Sequence, residues 1–245
     1  MVKKKIVAAG FGSDYFIISC KISNEKQNNG LSLIIIPRFL NGIDIIKKLK
    51  SKDFNKDYKT IYFDNLKVPA ENLLGEENNS LDYIFYQNLI GSLSESAQST
   101  SMAELNLKTL IEYVNNQQCD GEKVSKLQSV RHNIAQMLTE LECTKQFLYT
   151  SYSKLLKEDD LYKEIMMLKY LSSKLEDKVR SNCHRILNEY GFSKKHSPFN
   201  HINASATILS ENISNSLFDK ISNFIIDNES TKTKSKLKKV KTLVR

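Results

Sequence analysis

The sequence predicts a mainly α-helical protein in which a small antiparallel β region precedes a four-helix bundle. Three observations carry that expectation. Short β-branched and aromatic runs separated by turn residues fill the chain up to Phe63. After residue 80 the apolar residues recur every three or four positions, in four successive stripes. Only three prolines and eight glycines interrupt 245 residues, which leaves room for long helices.

In chain order, the expected strands are Tyr15 to Ile22, Leu31 to Ile36, Ile43 to Ile46 and Lys59 to Phe63. The polar segment Ser23 to Gly30 separates the first two, so hairpin pairing is the natural arrangement. Asp64 to Asn79 contains Pro69, Gly75 and a polar cluster and reads as a connector. The first stripe then runs from Leu81, Ile84, Phe85 and Leu89 to Leu105, Leu107, Leu110, Ile111 and Val114. The second spans Val124 to Leu148, the third Leu168, Leu171, Leu175, Val179, Cys183, Ile186, Leu187 and Tyr190, and the fourth Ile213, Leu217, Ile221 and Ile225. Breaks fall at Gln117 to Gly121, Lys157 to Asp160 and Gly191 to Pro198. Each stripe marks one buried helix face, and short breaks make sequential helices antiparallel neighbours. The expected division is 1–78 for a partial β-domain, 79–228 for the four-helix-bundle domain and 229–245 for a basic, disordered tail.

Apolar content of 40%, charged content of 26% and a mean hydropathy of -0.40 are those of a globular chain rather than a collagenous or wholly disordered one. The longest strongly apolar stretch, Leu31 to Pro37, is of strand length, which excludes a membrane helix. The apolar part of Met1 to Gly10 is too short for a secretory signal, so a cytoplasmic location is expected. Of the net charge of +8, the segment 231–245 supplies seven basic side chains and no acid, leaving +1 for the rest. The basic character therefore belongs to a terminus. It reads as a solvated tail, with docking to nucleic acid or anionic lipid as the alternative. Nucleic acid is not the expected partner of the folded part. Cys20, Cys119, Cys143 and Cys183 show no C-x-x-C spacing and read as reduced thiols. Cys183 and His184 make one adjacent pair, short of the three or four converging ligands a metal needs, so no metal site is expected.

Phe63-Asp-Asn-Leu-Lys-Val-Pro-Ala-Glu-Asn-Leu-Leu-Gly-Glu77 resembles the acyl-CoA dehydrogenase family, in which a strand ending in F-x-x-V-x-V-P-x-x-N-x-L-G leads from the β-domain into the C-terminal helical domain. Other stretches fall in register: Ser13-Asp14 at a strand start, Tyr113, Gly121, Gln128, Ala135 and Met137 along the family's Y-x-x-x-R-x-Q-F-G segment and its continuation, Tyr190-Gly191-Phe192 at the Y-G-Y turn, and Asn203-Ala204. The resemblance covers about Lys3 to Phe224. It implies an acyl-CoA dehydrogenase-like four-helix bundle preceded by a partial β-barrel or sheet, with the N-terminal helical domain and the start of the β-domain missing.

The resemblance also implies a reaction: FAD-dependent α,β-dehydrogenation of an acyl thioester, in which a carboxylate takes the α-proton and the β-hydrogen leaves as hydride to the flavin. Glu211 falls at the family's base position, in Ile208-Leu-Ser-Glu-Asn-Ile-Ser-Asn215. Its other reading is an acid in the first turn of the last helix, favoured by the helix dipole. Asn88 occupies the family's alternative base site and cannot deprotonate carbon. By position alone, Gln117, Gly121, Gln128 and Ser214 are the candidate cofactor contacts. Several flavin positions depart from the pattern. Ile6-Val-Ala-Ala9 stands where an aromatic, a hydroxyl and an amide are usual; Gln117 and Leu89 replace arginines; Cys119-Asp-Gly121 replaces Q-F-G; and Asn188-Glu189 replaces two glycines. The expectation is a chain that works only as a subunit, in a homo- or hetero-oligomer with an acyl-CoA dehydrogenase-like chain. The alternative is a catalytically inactive scaffold on the same fold.

Overall fold

The computed structural model describes residues 2–6, 13–21, 30–50, 57–157, 161–190 and 211–226. Two compact units emerge, one within Met1–Phe85 and the other within Tyr86–Lys241.

In the first unit, β1 (Val2–Ile6), β5 (Asp57–Phe63) and β4 (Ile43–Lys50) form one antiparallel sheet in the order β1-β5-β4. β2 (Tyr15–Lys21), β3 (Leu31–Pro37) and β6 (Leu73–Leu74) form a second, in the order β2-β3-β6. Register follows the side-chain period of two. Phe16 pairs with Ile36 and Ile18 with Ile34, so their faces coincide. Phe16, Ile18 and Ile36 meet Ile61 and Phe63 of the other sheet in a single core. The opposite face of β2 leaves Tyr15 and Ile17 exposed. The four anticipated strands therefore do not form one meander but are divided between two sheets, and β1 and β6 join them.

The 64–79 connector is fixed by its own polar groups. Asn72 Nδ2 donates to the Ile35 carbonyl at 2.9 Å, and the Asn78 amide donates to Ser32 Oγ at 2.7 Å. Gly75 has φ +72, and a Cβ there would run into the Tyr83 ring, so glycine is required twice over.

Four helices follow among the described residues: α1 (Ser80–Asn116), α2 (Gln128–Leu156), α3 (Tyr162–Glu189) and α4 (Glu211–Ile226). Ala103, Leu107, Leu110 and Val114 of α1 pack with Val130, Met137 and Leu141 of α2 and with Leu175, Val179, Cys183, Ile186 and Leu187 of α3. α4 runs antiparallel to α3, with Phe218 beside Tyr170 at 4.6 Å and Phe224 beside Tyr162 at 5.9 Å between ring centroids. α1 and α3 are parallel, because Glu95 meets Lys169 at one level and Tyr113 meets Tyr190 at the far one.

Among the described residues, five of the expected stripes face solvent: Leu81, Leu105, Leu138, Leu171 and Ile225. At about 100° per residue, Leu105 lies opposite the face set by Ala103, Leu107, Leu110 and Val114. Leu138 and Leu171 sit at the margins of theirs, by the same geometry. The second stripe also begins before its helix, since Val124–Lys126 is a 3-10 turn ahead of α2. Residues 7–9, 191–210 and 231–245 lie outside the described residues, and with them the expectations on Val7 to Ala9, Gly191-Phe192, Asn203-Ala204 and the tail.

Candidate functional site

Two of the candidate contacts, Gln117 and Gly121, lie on the short link between α1 and α2, and a third, Gln128, opens α2. The Gln117 amide donates to the Tyr113 carbonyl at 2.9 Å, and its own carbonyl accepts from Val124 at 3.0 Å. Between these bonds β7 (Gln118–Cys119) pairs with β8 (Glu122–Lys123). Asp120 and Gly121 turn the chain with φ of 50° and 84°. Two successive left-handed residues make the tight hairpin turn that Asp-Gly favours. The expected break is thus a folded hairpin. Val124 anchors it in the core, with 0% exposure, and Leu127 leads into Gln128, the exposed first residue of α2.

Tyr113 ties the end of α1 to the end of α3, its hydroxyl donating to the Tyr190 carbonyl at 3.4 Å. Burial pushes the Tyr113 phenol above its ordinary range, so it remains a donor. Glu211 is the first residue of α4 and Ser214 lies in the same first turn. α4 runs back along α3 from there, and with Phe218 beside Tyr170 this first turn stands level with the middle of α3 rather than at the end where α1 finishes and α2 begins. The backbone places Glu211 and Ser214; their side chains lie outside what is described. A carboxylate in a first helical turn is stabilised in its ionised form by the helix dipole.

The departures from the family pattern have local physical consequences. Leu89, where an arginine would stand, is a core residue with 2% exposure, while Asn88 faces solvent. Arg185 holds Glu189 through two contacts at 2.8 and 3.1 Å, so the last turn of α3 is closed by an ion pair with Asn188 exposed beside it. At the hairpin tip, Cys119 Sγ lies 3.8 Å from Asp120 Oδ2, and Lys126 is paired with Glu122 at 4.0 Å. This link presents two carboxylates, Asp120 and Glu122, two lysines, Lys123 and Lys126, and no guanidinium, so it offers the pyrophosphate of a flavin dinucleotide no bidentate cation. Among the described residues no three His, Cys, Asp or Glu side chains converge as a metal site, and no helix is long and apolar enough to cross a membrane.

One buried charge escaped the sequence reading. Glu176 of α3 is 7% exposed and accepts a hydrogen bond from Ser99 of α1. Its signal was phase, since it follows Leu175 on the buried side of the third stripe.

Residues 90–210 match the family described as acyl-CoA dehydrogenase, C-terminal domain. The chain is similar to the caffeyl-CoA reductase-Etf complex subunit CarC of Acetobacterium woodii, 26% identical over 75% of this chain and 48% of that protein. The fold is that of an acyl-CoA dehydrogenase from Geobacillus kaustophilus, with a TM-score of 0.78 at 21% identity over 91% of this chain and 60% of that one. It is also that of PigA, solved as an FAD complex, with a TM-score of 0.74 at 22% identity over 91% and 59% of the two chains. The chain spans about half the length of the curated relatives it matches, 48% and 52% of two of them.

Proposed function

We propose, for a chain that belongs to the acyl-CoA dehydrogenase family through its C-terminal domain, a subunit role in the α,β-dehydrogenation of an acyl thioester. Glu211 supplies the base, and an acyl-CoA dehydrogenase-like partner chain supplies the flavin contacts replaced here. The carrying observation is the position of Glu211 as the first residue of α4, in a helical turn of an element that packs back along α3. A thioester α-proton is weakly acidic, so its base must be held close and partly shielded from water. A rigid helix start meets the first need, and a covering partner meets the second. Partnership is supported by Gln117 standing where the family pattern has an arginine and by the relative CarC, whose name places it in a complex.

The test is co-expression with a full-length acyl-CoA dehydrogenase, followed by flavin absorbance and turnover of an acyl-CoA. The chain alone should purify colourless. The complex should be yellow, and its Glu211→Gln form should keep the flavin while losing about 10²–10⁴-fold in rate, the scale of general-base catalysis. Unchanged turnover in the variant would remove Glu211 from the mechanism. A colourless chain that forms no complex would leave the second reading, an inactive scaffold, which the self-contained Asp120-Gly121 hairpin and the Arg185–Glu189 ion pair favour.

A further inference from the structure

Among the described residues the two three-stranded sheets have four outer edges, and three of them are guarded. β1 carries Lys3, Lys4 and Lys5 in a row, and β6 is two residues long. β4 carries Lys47, Lys48 and Lys50 around a register shift between Lys47 and Lys50. Lysine, shortness and irregular pairing are the means by which sheet edges avoid further strands. β2 has none of these. Its seven residues pair with β3 without a break in register, contain no proline and reach their only charge at Lys21. We propose that the outer edge of β2 docks a second copy of this chain, β2 against β2, in antiparallel pairing about a two-fold axis at Ile18.

The direction of the β2 backbone groups follows from its pairing with β3. The Arg38 amide donates to the Asp14 carbonyl at 2.8 Å, which makes Asp14 and Arg38 a hydrogen-bonded pair. Such pairs alternate along an antiparallel ladder. Phe16, Ile18 and Cys20 therefore turn their amides and carbonyls toward β3, while Tyr15, Ile17, Ser19 and Lys21 turn theirs outward. Pro37 agrees with this phase, since it stands opposite Tyr15, where β3 needs no donor. Among the described residues no strand pairs with that outer edge. Beside it, Tyr15 and Ile17 are 63% and 61% exposed.

A second β2 suits this edge because the strand is self-complementary. The axis at Ile18 sets Tyr15 opposite Lys21 and Ile17 opposite Ser19 of the other copy, so each outward amide meets an outward carbonyl. The odd-numbered residues of both copies share the exposed face, and the even-numbered residues share the core face. Lys21 of each copy comes beside Tyr15 and Asp14 of the other, a ring and a carboxylate. The two Lys21 residues then stand about 20 Å apart along the strands. Parallel pairing would set them side by side, and like charges opposite one another destabilise a strand pair. The joined sheet runs β6-β3-β2-β2-β3-β6, an ordinary size. One pair of seven-residue edges is small beside the about 1,200–2,000 Å² of a standard interface, so the dimer dissociates on dilution.

The inference does not depend on any activity of the chain, so it stands or falls apart from the role assigned to Glu211. The test is sedimentation velocity of the full chain from micromolar to submillimolar concentration, with hydrogen exchange followed amide by amide by NMR. The mass should rise from 28.1 kDa toward twice that value. Exchange at Tyr15, Ile17, Ser19 and Lys21 should slow about tenfold when nine tenths of the chain is dimeric, since it then proceeds through the remaining monomer. Ile18 and Cys20 should be protected at every concentration by β3. Ile17→Pro removes an outward donor and leaves the β3 ladder intact, and Ile17→Lys brings two lysines within about 7–8 Å across the axis. The axis doubles each change, so both variants should weaken association at least about tenfold. Circular dichroism and the urea midpoint of Ile17→Lys should stay native, since Ile17 is exposed. A chain that remains at 28.1 kDa throughout overturns the proposal. So does a dimer whose outer amides exchange as fast as those of the monomer, or one that both variants leave intact. Uptake of a strand from a co-expressed full-length acyl-CoA dehydrogenase, without self-association, would also overturn it and give the edge to that partner.

Discussion

Cys143 and Cys183 occupy neighbouring helices, yet their environments give them opposite reactivity. Cys143 is exposed on α2, whereas Cys183 is fully buried on α3. Burial pushes the Cys183 thiol up to about 12. The thiolate is the nucleophile, so burial suppresses both access and the reactive form. Iodoacetamide at about pH 8 should modify Cys143 of the native chain readily and Cys183 at least ~100-fold more slowly, with the difference vanishing in urea. Peptide mass spectrometry reads both sites in one sample. The same burial has a linkage consequence. The folded state keeps the Cys183 proton where the unfolded state, near the ordinary value of 9.0, releases it. Stability from this group is thus complete below pH 9.0 and declines as pH climbs toward 12. Glu104, half-buried where α1 meets Lys145 of α2, has the opposite sign. Its bond with Lys108 leads the causes that hold its carboxyl below the usual range, so its modest contribution fades as pH falls.

At the scale of elements, the 118–123 hairpin shows why a short link can matter more than its length suggests. It turns the chain between α1 and α2 within two residues, and both need positive φ. Nothing lies within 4 Å of the position a Gly121 Cβ would take, so a substitution there meets conformational cost alone, without a clash. Gly121→Ala should destabilise the chain by ~1–2 kcal/mol, the cost of placing an L side chain in the left-handed region. Gly121→Asn should recover much of it, since asparagine tolerates that region. Urea midpoints of the two variants check the order, and a Gly121→Ala protein as stable as the native chain would show that the turn relaxes. Gly75 contrasts with it. There the left-handed φ of +72 is joined by contact with the Tyr83 ring, so neither substitution should be accommodated.

At the scale of the molecule, what the sequence made legible was period, and what it hid was phase and pairing. Four helices follow from stripes every three or four residues, because any element that buries one face must repeat that way. The position of each residue on its face required angles rather than counting, which is why Leu105 faces solvent while Asn106 is buried. β6 could not be read from two leucines in a connector rich in Pro, Gly and Asn, because pairing with Leu33 and Ile34 of β3 makes it a strand. The Asp-Gly turn was visible as residues, but its polar flanks carried none of the usual strand signal. Of the site, sequence register gave Glu211 a candidate role. Glu176 needed the structure, since nothing along the chain places it opposite Ser99.

Charge is the remaining property of the whole chain, and it is unevenly distributed. Seven of the 36 basic side chains fall in 231–245, so a chain ending at residue 230 would carry +1 in place of +8. Unpaired like charges in a run repel one another and act at a distance set by salt, with a Debye length of about 10 Å at 0.1 M. On a cation exchanger, the chain ending at residue 230 should therefore elute at far lower salt than the full chain. It should also lose any sedimentation with vesicles containing anionic lipid or any shift of duplex DNA. If salt-sensitive binding survives the deletion, the attraction belongs to a basic face of the folded part, where 29 basic and 28 acidic side chains nearly balance in number but need not balance in space.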